Sequence, residues 1–522
     1  MRFGRFAVIF VDGDGQPEQA LGHHAALSRA FTRYGFPLMN TLPTLARLAS
    51  DLAEGRASAR SLAEAALARA EDAAGEGART FTLIDRPRAL ALAAASDALR
   101  KAGIVRSPLE GLPVSVKDVF DVAGQVTTAG SAVLADAPPA ACNAPVIDRL
   151  LAAGAVIVGR TSMTEFAFSG LGLNPHRGTP RNPWDRATGR IPGGSSSGAA
   201  VSVTDGMAAL AIGTDTGGSV RIPSALCGLT GFKPTQRRVS RQGVLPLSAS
   251  LDSVGPLAAS VQCCITADGV LSGQTWQLQP RPLAGARLAC PAEIALDDMD
   301  AHVAAAFDRT LVRLHSAGAR VTRLPLPEWR ELAALHAKGT LSNAEAWAWH
   351  RQRLAAQGAA YDPRVRARIE AGRQMDCADY IDLLAARRRW IAQVEQRLAA
   401  FDALLMPTVP IAAPAIASLQ TDDAAYWRAN ALMLRNTSLI NFLDGCALSL
   451  PMHPPGEAPA ALMLAGCAGT DARAGAGAGS AGAAELMATL SEPVLKAILE
   501  AWSCAECRET MVTSSSLESP RE

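Results

Sequence analysis

The 522-residue chain has no excess of either charge and no long uncharged apolar run. Its 50 basic and 49 acidic residues leave a net charge of +1, which gives no electrostatic basis for binding nucleic acid or an anionic membrane. No apolar stretch reaches the roughly 18 residues of a membrane-spanning helix. The apolar run in residues 1–12 is too short for a signal-peptide core, and no small-residue cleavage site follows it closely. We therefore expect a cytoplasmic protein that binds neither nucleic acid nor membrane.

The sequence also lacks the usual patterns of metal and nucleotide sites. Its eight histidines form no HExxH pattern and its ten cysteines are scattered. One CxxC, from Cys504 to Cys507, has no second pair and no histidine near it. There is no P-loop and no GxGxxG after a strand. The sequence therefore predicts no metal and no cofactor.

What the chain does have is a stretch from residue 190 to residue 235 with two Gly-Gly-Ser turns, which end at Ser195 and Ser219. A predicted strand at 208–213 leads into the second turn. Upstream, Lys117 lies in a strand-like run, LPVSVKD. A hydroxyl after two glycines can project while the backbone N–H groups beside it stay open to a ligand. Two such turns and one lysine are the parts of a serine hydrolase whose base is an amine.

Four motifs in a fixed order resemble the signature of the amidase-signature hydrolases: GLPVSVKD, GGSSSG, TDTGGSVRIP and CGLTGFKPT. The resemblance covers roughly residues 41–467. It implies that Ser219 is the acylated nucleophile, that Ser195 is a bridging serine held by a cis peptide, and that Lys117 is the general base. It also implies one large α/β domain with a mixed central sheet. The alternation of predicted helices and strands agrees, and favours helices on both faces of the sheet.

The lysine is chemically suited to this role only if it is buried. A lysine can accept a proton only when neutral, so burial must lower the pKa of Lys117 from about 10.4 towards neutrality. Its apolar neighbours Val114, Val116 and Val119 are consistent with burial. The carboxylate of Asp118 would favour the ammonium form of Lys117. We expect alternation along the strand to direct the Asp118 side chain away from the lysine.

The second turn is expected to hold the oxyanion of a tetrahedral intermediate in a nest of backbone N–H groups, from Thr216, Gly217, Gly218 and Ser219. Ser196 and Ser197 are predicted to cap the helix that begins near Gly198. Arg221 is predicted to form an internal ion pair or to bind a backbone carbonyl rather than a substrate.

Each of these residues also has a purely structural interpretation. A Gly-Gly-Ser turn by itself is usually only a flexible turn, and Lys117 alone resembles a surface lysine at the end of a strand. The order and spacing of all three residues favour an amidase-type site over these interpretations.

Composition divides the chain into three segments. Residues 1–38 form an atypical N-terminal extension, and the natural start is suspected near Met39. Residues 39–467 form the amidase-signature domain. Residues 468–522 form a low-complexity linker and a divergent tail, with a run of Gly, Ala and Ser at 474–484.

Deletion of residues 1–38 should leave folding and activity largely intact, because none of the motif residues lies there. Limited proteolysis of the full chain should cut first before Met39 and within 474–484, and leave a resistant active fragment. Resistance at both places, or loss of activity with the first 38 residues, would show that these boundaries are misplaced.

One departure from the family bears on the substrate. In the A subunit of the glutamyl-tRNA amidotransferase, an aspartate lies ten residues before the glycine of an Asn-Leu-Ala-Gly segment. Here Arg435 stands at that place, before residues 436–445. An arginine would repel the α-amino group of glutamine, which argues against the tRNA-linked role. Arg435 either pairs with a substrate carboxylate or binds a loop carbonyl.

The intact set of Lys117, Ser195 and Ser219 favours an amidase that hydrolyses a small-molecule carboxamide to a carboxylate and ammonia or an amine. Two alternatives stay open: an amidotransferase-type subunit that delivers ammonia to a partner's substrate, and a catalytically silent subunit on the same fold. A homodimer or a small accessory subunit is compatible with all three.

Overall fold

The computed structural model describes residues 42–275 and 282–469 of the chain. The predicted extension at 1–38 and nearly all of the predicted tail lie outside these residues. The two predicted segment boundaries therefore stay predictions.

The described residues form eleven strands: β1 Phe81–Ile84, β2 Pro113–Lys117, β3 Val156–Thr161, β4 Leu210–Asp215, β5 Thr230–Lys233, β6 Ser253–Ala258, β7 Arg287–Pro291, β8 Arg320–Leu324, β9 Ala403–Pro407, β10 Cys446–Pro451 and β11 Ala461–Gly466. The fifteen α-helices in the same part of the chain are α1 Leu45–Ala53, α2 Ala59–Ala70, α3 Gly77–Thr80, α4 Arg86–Lys101, α5 Pro145–Ala152, α6 Ser197–Thr204, α7 Arg221–Cys227, α8 Val261–Ser272, α9 Ala301–Ser316, α10 Glu328–Leu335, α11 Leu341–Gln357, α12 Pro363–Glu370, α13 Cys377–Leu398, α14 Ile416–Thr421 and α15 Asp423–Phe442.

All eleven strands belong to one mixed sheet in the order β1-β3-β2-β4-β6-β5-β10-β11-β9-β7-β8. Strands β3, β2 and β4 run parallel to one another, as do β9, β7 and β8. The pairs between them, from β4 to β9, are antiparallel. The predicted α/β class with a mixed central sheet is confirmed.

The central strands are buried on both faces of the sheet. Every residue of β2, β3, β4, β6 and β11 is buried, without the alternation of a half-exposed strand. Helices must therefore cover both sides of the sheet, as predicted. The largest hydrophobic cluster joins strand residues such as Val114, Ile212 and Leu464 to helix residues such as Ile147 and Phe307.

Local sequence signals explain several helix boundaries. Helix α2 starts after Ser58, whose hydroxyl accepts from the N–H of Ser61 while the Ser61 hydroxyl accepts from the N–H of Ser58. Helix α5 starts at Pro145, whose missing N–H costs nothing in the first turn. Two residues past its end, Gly154 has a φ of 85°, which favours glycine.

Strands β2 and β4 are adjacent and parallel, and this arrangement positions the candidate site. Lys117 is the last residue of β2, and Asp215 is the last residue of β4. The residues after β4 lead through the second Gly-Gly-Ser turn into α7. The carboxyl ends of parallel strands lie at one edge of a sheet, where α/β proteins build their sites.

Within residues 42–275 and 282–469, no helix combines the length and the apolar composition that crossing a bilayer requires.

Candidate active site

Lys117 is a buried lysine with two hydroxyl partners. Its Nζ donates to Ser195 Oγ at 2.7 Å and to Thr214 Oγ1 at 2.8 Å. Burial lowers the pKa of Lys117 to about 7, although the nearby carboxylates of Asp252 and Asp215 act to raise it. The amine is therefore able to exchange a proton near neutral pH, as the sequence predicted.

Asp118 is directed away from that lysine. Its carboxylate accepts from Arg160 Nε at 2.7 Å, from the N–H of Gly130 at 3.3 Å and from the hydroxyl of Thr128. Both side chains of the Asp118–Arg160 ion pair are buried. Asp118 directly follows the end of β2, and its side chain shares no hydrogen-bond partner with Lys117, as expected for a carboxylate that points away and has its own cationic partner.

The first Gly-Gly-Ser turn brings Ser195 to the lysine. The peptide bond between Gly194 and Ser195 is cis. The carbonyl of Ser195 accepts from the N–H of Thr164 at 3.1 Å, and the N–H of Gly194 donates to the carbonyl of Gly170 at 2.8 Å. A Cβ at Gly194 would lie 2.5 Å from the backbone nitrogen of Gly172, so only glycine fits at this position.

The second turn carries Ser219 beside the first. The carbonyl of Ser219 accepts from the N–H of Ser196 at 3.2 Å, which joins the two turns. In the described part of the chain, the Ser219 hydroxyl makes no hydrogen bond. The structure thus brings Lys117, Ser195 and the Ser219 turn together, with the Lys117–Ser195 bond formed and the Ser219 hydroxyl left available.

Asp215 fixes the shape of the second turn. Its carboxylate accepts from the N–H groups of Gly218 at 2.8 Å and of Val220 at 3.1 Å. Arg221 donates to it from Nε at 3.0 Å and from a terminal nitrogen at 2.8 Å. Burial acts to raise the pKa of Asp215, but the charge and hydrogen bonds of Arg221 outweigh it and lower this pKa below its ordinary value. The predicted internal ion pair of Arg221 is therefore present.

This network changes the predicted oxyanion nest. The N–H of Gly218 is directed to Asp215 and is not left open to a substrate oxygen, contrary to the prediction. Among the described residues, the N–H groups of Thr216, Gly217 and Ser219 donate no hydrogen bond. A Cβ at Gly218, where φ is 130°, would lie 2.2 Å from Thr437 Oγ1, so this glycine permits a close approach of α15.

Helix α15 supports the turn from the far side, which the sequence did not predict. Thr437 Oγ1 donates to the carbonyl of Gly217 at 2.6 Å, and Ser438 Oγ donates to the same oxygen at 3.3 Å. Asn441 Nδ2 donates to the Asp215 carboxylate at 2.9 Å. These two hydrogen bonds fix the Gly217 carbonyl and thereby orient the peptide planes of the turn. Helix α15 therefore acts as a positioning element.

Asp252 is a second acidic residue that sequence reasoning missed. It accepts from Thr216 Oγ1 at 2.5 Å and from the N–H groups of Leu247 and Ser248 at 3.0 Å. Burial raises the pKa of Asp252 to about 6, although these hydrogen bonds act to lower it. Its charge in turn raises the pKa of Lys117. The one available signal was an acidic residue directly before a predominantly apolar strand segment, in the run LSASLDSVGP.

Two smaller predictions differ from the structure. Helix α6 begins at Ser197, but Ser196 makes no side-chain cap: its hydroxyl donates to the carbonyl of Thr214 at 3.3 Å, and that of Ser197 to the carbonyl of Ser162 at 3.5 Å. Arg435 donates to the carbonyl of Ala295 at 3.2 Å, which is the structural alternative for this residue.

Comparison with known proteins is consistent with this geometry. A family model described as Amidase matches residues 61–474. The chain is 39% identical to 2-amino-5-chloromuconic acid deaminase of Comamonas testosteroni over 74% of this chain and 85% of that protein. It is 34% identical to the glutamyl-tRNA(Gln) amidotransferase A subunit of Chloroflexus aggregans over 80% of this chain and 91% of that protein. A crystal structure of an amidase superposes with a TM-score of 0.75 at 31% identity and covers 86% of this chain and 99% of its own.

Proposed function

Because this chain belongs to the amidase family, an enzyme family of amide hydrolases, we propose that it hydrolyses the carboxamide of a small molecule through an acyl-enzyme on Ser219. The observation that carries this proposal is the 2.7 Å contact between the buried Lys117 Nζ and Ser195 Oγ, next to the Ser219 turn. A buried amine with a lowered pKa that contacts a serine hydroxyl is a candidate proton acceptor.

In the proposed mechanism, Ser219 Oγ attacks the amide carbonyl carbon as its proton passes to Ser195 Oγ. Ser195 passes its own proton to the neutral Lys117 Nζ, which becomes an ammonium. The N–H groups of Gly217 and Ser219, with that of Thr216, stabilise the oxyanion. The tetrahedral intermediate collapses when the proton returns through Ser195 to the leaving nitrogen, and ammonia or an amine departs.

Deacylation uses the same groups in the second half of the cycle. A water molecule attacks the Ser219 ester, and Lys117, neutral again, takes its proton through Ser195. The carboxylic acid leaves as Ser219 recovers its proton. Each proton that Lys117 accepts is returned within the half-reaction, so the enzyme ends the cycle unchanged.

The test is a screen of the purified chain against amides with ammonia release as the readout, together with labelling by a fluorophosphonate probe. We expect turnover of at least one small carboxamide and one labelled site at Ser219. Failure of the probe to label Ser219 in folded protein would overturn the proposal.

A second function is favoured by one observation, the similarity to an amidotransferase A subunit. Such a protein would release ammonia from L-glutamine and deliver it to a substrate held by a partner. Glutamine turnover that rises on adding a partner chain, with no turnover of other amides, would favour this alternative over a free-standing amidase.

The charge of Asp252 gives a pH prediction. Asp252→Asn removes a carboxylate that raises the pKa of Lys117, so the pKa of the base should fall. We expect the acidic limb of the kcat/KM profile to move to lower pH, because Lys117 then stays neutral in more acidic buffer.

The control for this prediction is Asp136→Asn, which neutralises an exposed carboxylate. It should leave the acidic limb where it is. A limb that moves to higher pH in Asp252→Asn, or equally in both variants, would contradict an electrostatic effect of Asp252 on Lys117.

A further inference from the structure

A cavity of about 500 Å³ lies next to the candidate site, between the segment after β5 and Asp252. Its polar lining comes from Gln236, Arg237, Ser240, Arg241, Gln242 and Asp252. Pockets of this volume are typical of small-molecule binding sites. The proposed mechanism uses none of the first five residues.

The outer part of the cavity is cationic. Arg237 is exposed and Arg241 is half-buried. Arg241 donates to the carbonyl of Ala249 at 2.6 Å, which anchors one side of its guanidinium. Within residues 42–275 and 282–469, neither arginine has a carboxylate within ion-pair distance. Burial raises the pKa of Asp252 at the other end of the cavity and the charge of Arg241 acts to lower it, but the two side chains form no ion pair. Two guanidinium groups that form no ion pair in one cavity are suited to a ligand carboxylate.

The inner end of the cavity is acidic and is connected to the candidate site through one hydrogen bond. Asp252 lines the cavity and accepts from Thr216 Oγ1 at 2.5 Å. Thr216 begins the turn that carries Ser219. A ligand that fills the cavity from Arg241 to Asp252 therefore has one end at two arginines and the other end at a carboxylate that is hydrogen-bonded to the first residue of that turn.

This polarity selects the orientation of a ligand. A carboxylate would be attracted to Arg237 and Arg241 and repelled by Asp252, whereas a neutral carboxamide tolerates the acidic end. A molecule with a carboxylate at one end and a carboxamide at the other would thus place its amide towards the Ser219 turn.

We propose that this cavity is a carboxylate subsite and that the natural substrate is an anionic amide of the class of a dicarboxylic acid monoamide. Arg241 is the principal ligand of the substrate carboxylate, and Arg237 contributes at the rim. This inference rests on the proposed amide hydrolysis and names its substrate class.

The test compares succinamate with butanamide, which has a methyl group in place of the carboxylate. Wild-type enzyme should favour succinamate in kcat/KM. Arg241→Ala should lower kcat/KM for succinamate on the order of 10- to 100-fold, chiefly through KM, and leave butanamide nearly unchanged. Arg241→Lys should recover part of the loss, because it restores the charge without the bidentate geometry.

The matched control is Arg60→Gln, which removes an exposed arginine paired with Glu64 on α2, a helix that contributes no residue to the cavity. It should change neither substrate's kinetics. Equal loss of both substrates in Arg241→Ala would indicate a structural role and overturn the proposal.

Binding without turnover gives a second readout. Succinate should bind Ser219→Ala, by isothermal titration, more tightly than it binds the Ser219→Ala/Arg241→Ala double variant. Fluorophosphonate labelling of the wild type separates the two levels of inference. If Ser219 is labelled but wild type prefers butanamide, the carboxylate subsite is refuted and amide hydrolysis is not. If Ser219 is not labelled, the proposed function itself fails.

Discussion

Replacing Ser219 with alanine should lower kcat by roughly 10³-fold or more and abolish fluorophosphonate labelling. The hydroxyl forms no hydrogen bond with another described residue, so its removal leaves no buried partner unsatisfied. A methyl group in its place keeps the turn, which is held by Asp215 and by Thr437 through backbone atoms. The loss should therefore be catalytic, with a melting temperature close to that of the wild type.

The chain supplies matched serine controls for this experiment. Ser196 and Ser197 directly follow Ser195, the proposed proton relay, but their hydroxyls make only long contacts with carbonyls. Ser196→Ala and Ser197→Ala should change kcat by no more than a few-fold, whereas Ser195→Ala should cause a large loss because it interrupts proton transfer to Lys117. Undiminished labelling of Ser219→Ala, or equal losses across all four variants, would place the nucleophile elsewhere.

The residues that could be predicted from the sequence are those fixed by local geometry. Lys117 ends an apolar strand, and the alternation expected at its end was enough to predict that Asp118 points away from the lysine. The two Gly-Gly-Ser turns identified Ser195 and Ser219, because glycines before a serine are required where backbones approach closely, as at Gly194.

The parts that could not be predicted depend on packing between distant segments. The hydroxyl of Thr437 reaches the Gly217 carbonyl only because α15 crosses the turn after β4. The N–H of Gly218 was expected to be open, but the Asp215 carboxylate is held close to it by Arg221 and Asn441. Hydrogen-bond partners far apart in sequence follow no local periodicity, so no spacing rule could reveal them.

The prediction for Ser196 and Ser197 failed for a related reason. A serine at a helix start usually caps free N–H groups. Here the two hydroxyls face the carbonyls of Thr214 and Ser162 on neighbouring segments, and those acceptors replace the helix N–H groups as partners. The sequence marked where α6 starts but not which way its first side chains point.

Replacing Lys117 with methionine should lower kcat by ~10²- to 10⁴-fold, the range expected for the loss of a general base. In the wild type, the rate should fall as pH decreases through about 7, because the lysine accepts a proton there and can no longer act as a base. The residual rate of Lys117→Met should lack this acidic limb. Added EDTA should change neither protein, since the proposed mechanism assigns no step to a metal.

Lys233→Met is the matched control, because Lys233 is equally buried at the end of β5. Its Nζ donates to the carbonyls of Pro234 and Gly445 and to no hydroxyl named in the mechanism. The substitution should lower stability but preserve the acidic limb near pH 7 in the folded fraction. An acidic limb that disappears in Lys233→Met and persists in Lys117→Met would assign the titration to Lys233 and contradict the role of Lys117 as the base.

Stability gives a readout of Lys117 that does not depend on activity. In the unfolded chain its pKa is about 10.4, whereas burial lowers the pKa to about 7 in the fold. Between these values the unfolded state binds more protons, so the wild-type free energy of unfolding gains from Lys117 as pH rises from 7 to 10. Below pH 7 both states are protonated, and this contribution is constant.

The difference in urea midpoint between wild type and Lys117→Met should therefore shift in favour of the wild type across the window from pH 7 to pH 10. A difference that stays flat from pH 7 to pH 10 would show that the lysine keeps its ordinary pKa and cannot be the neutral base.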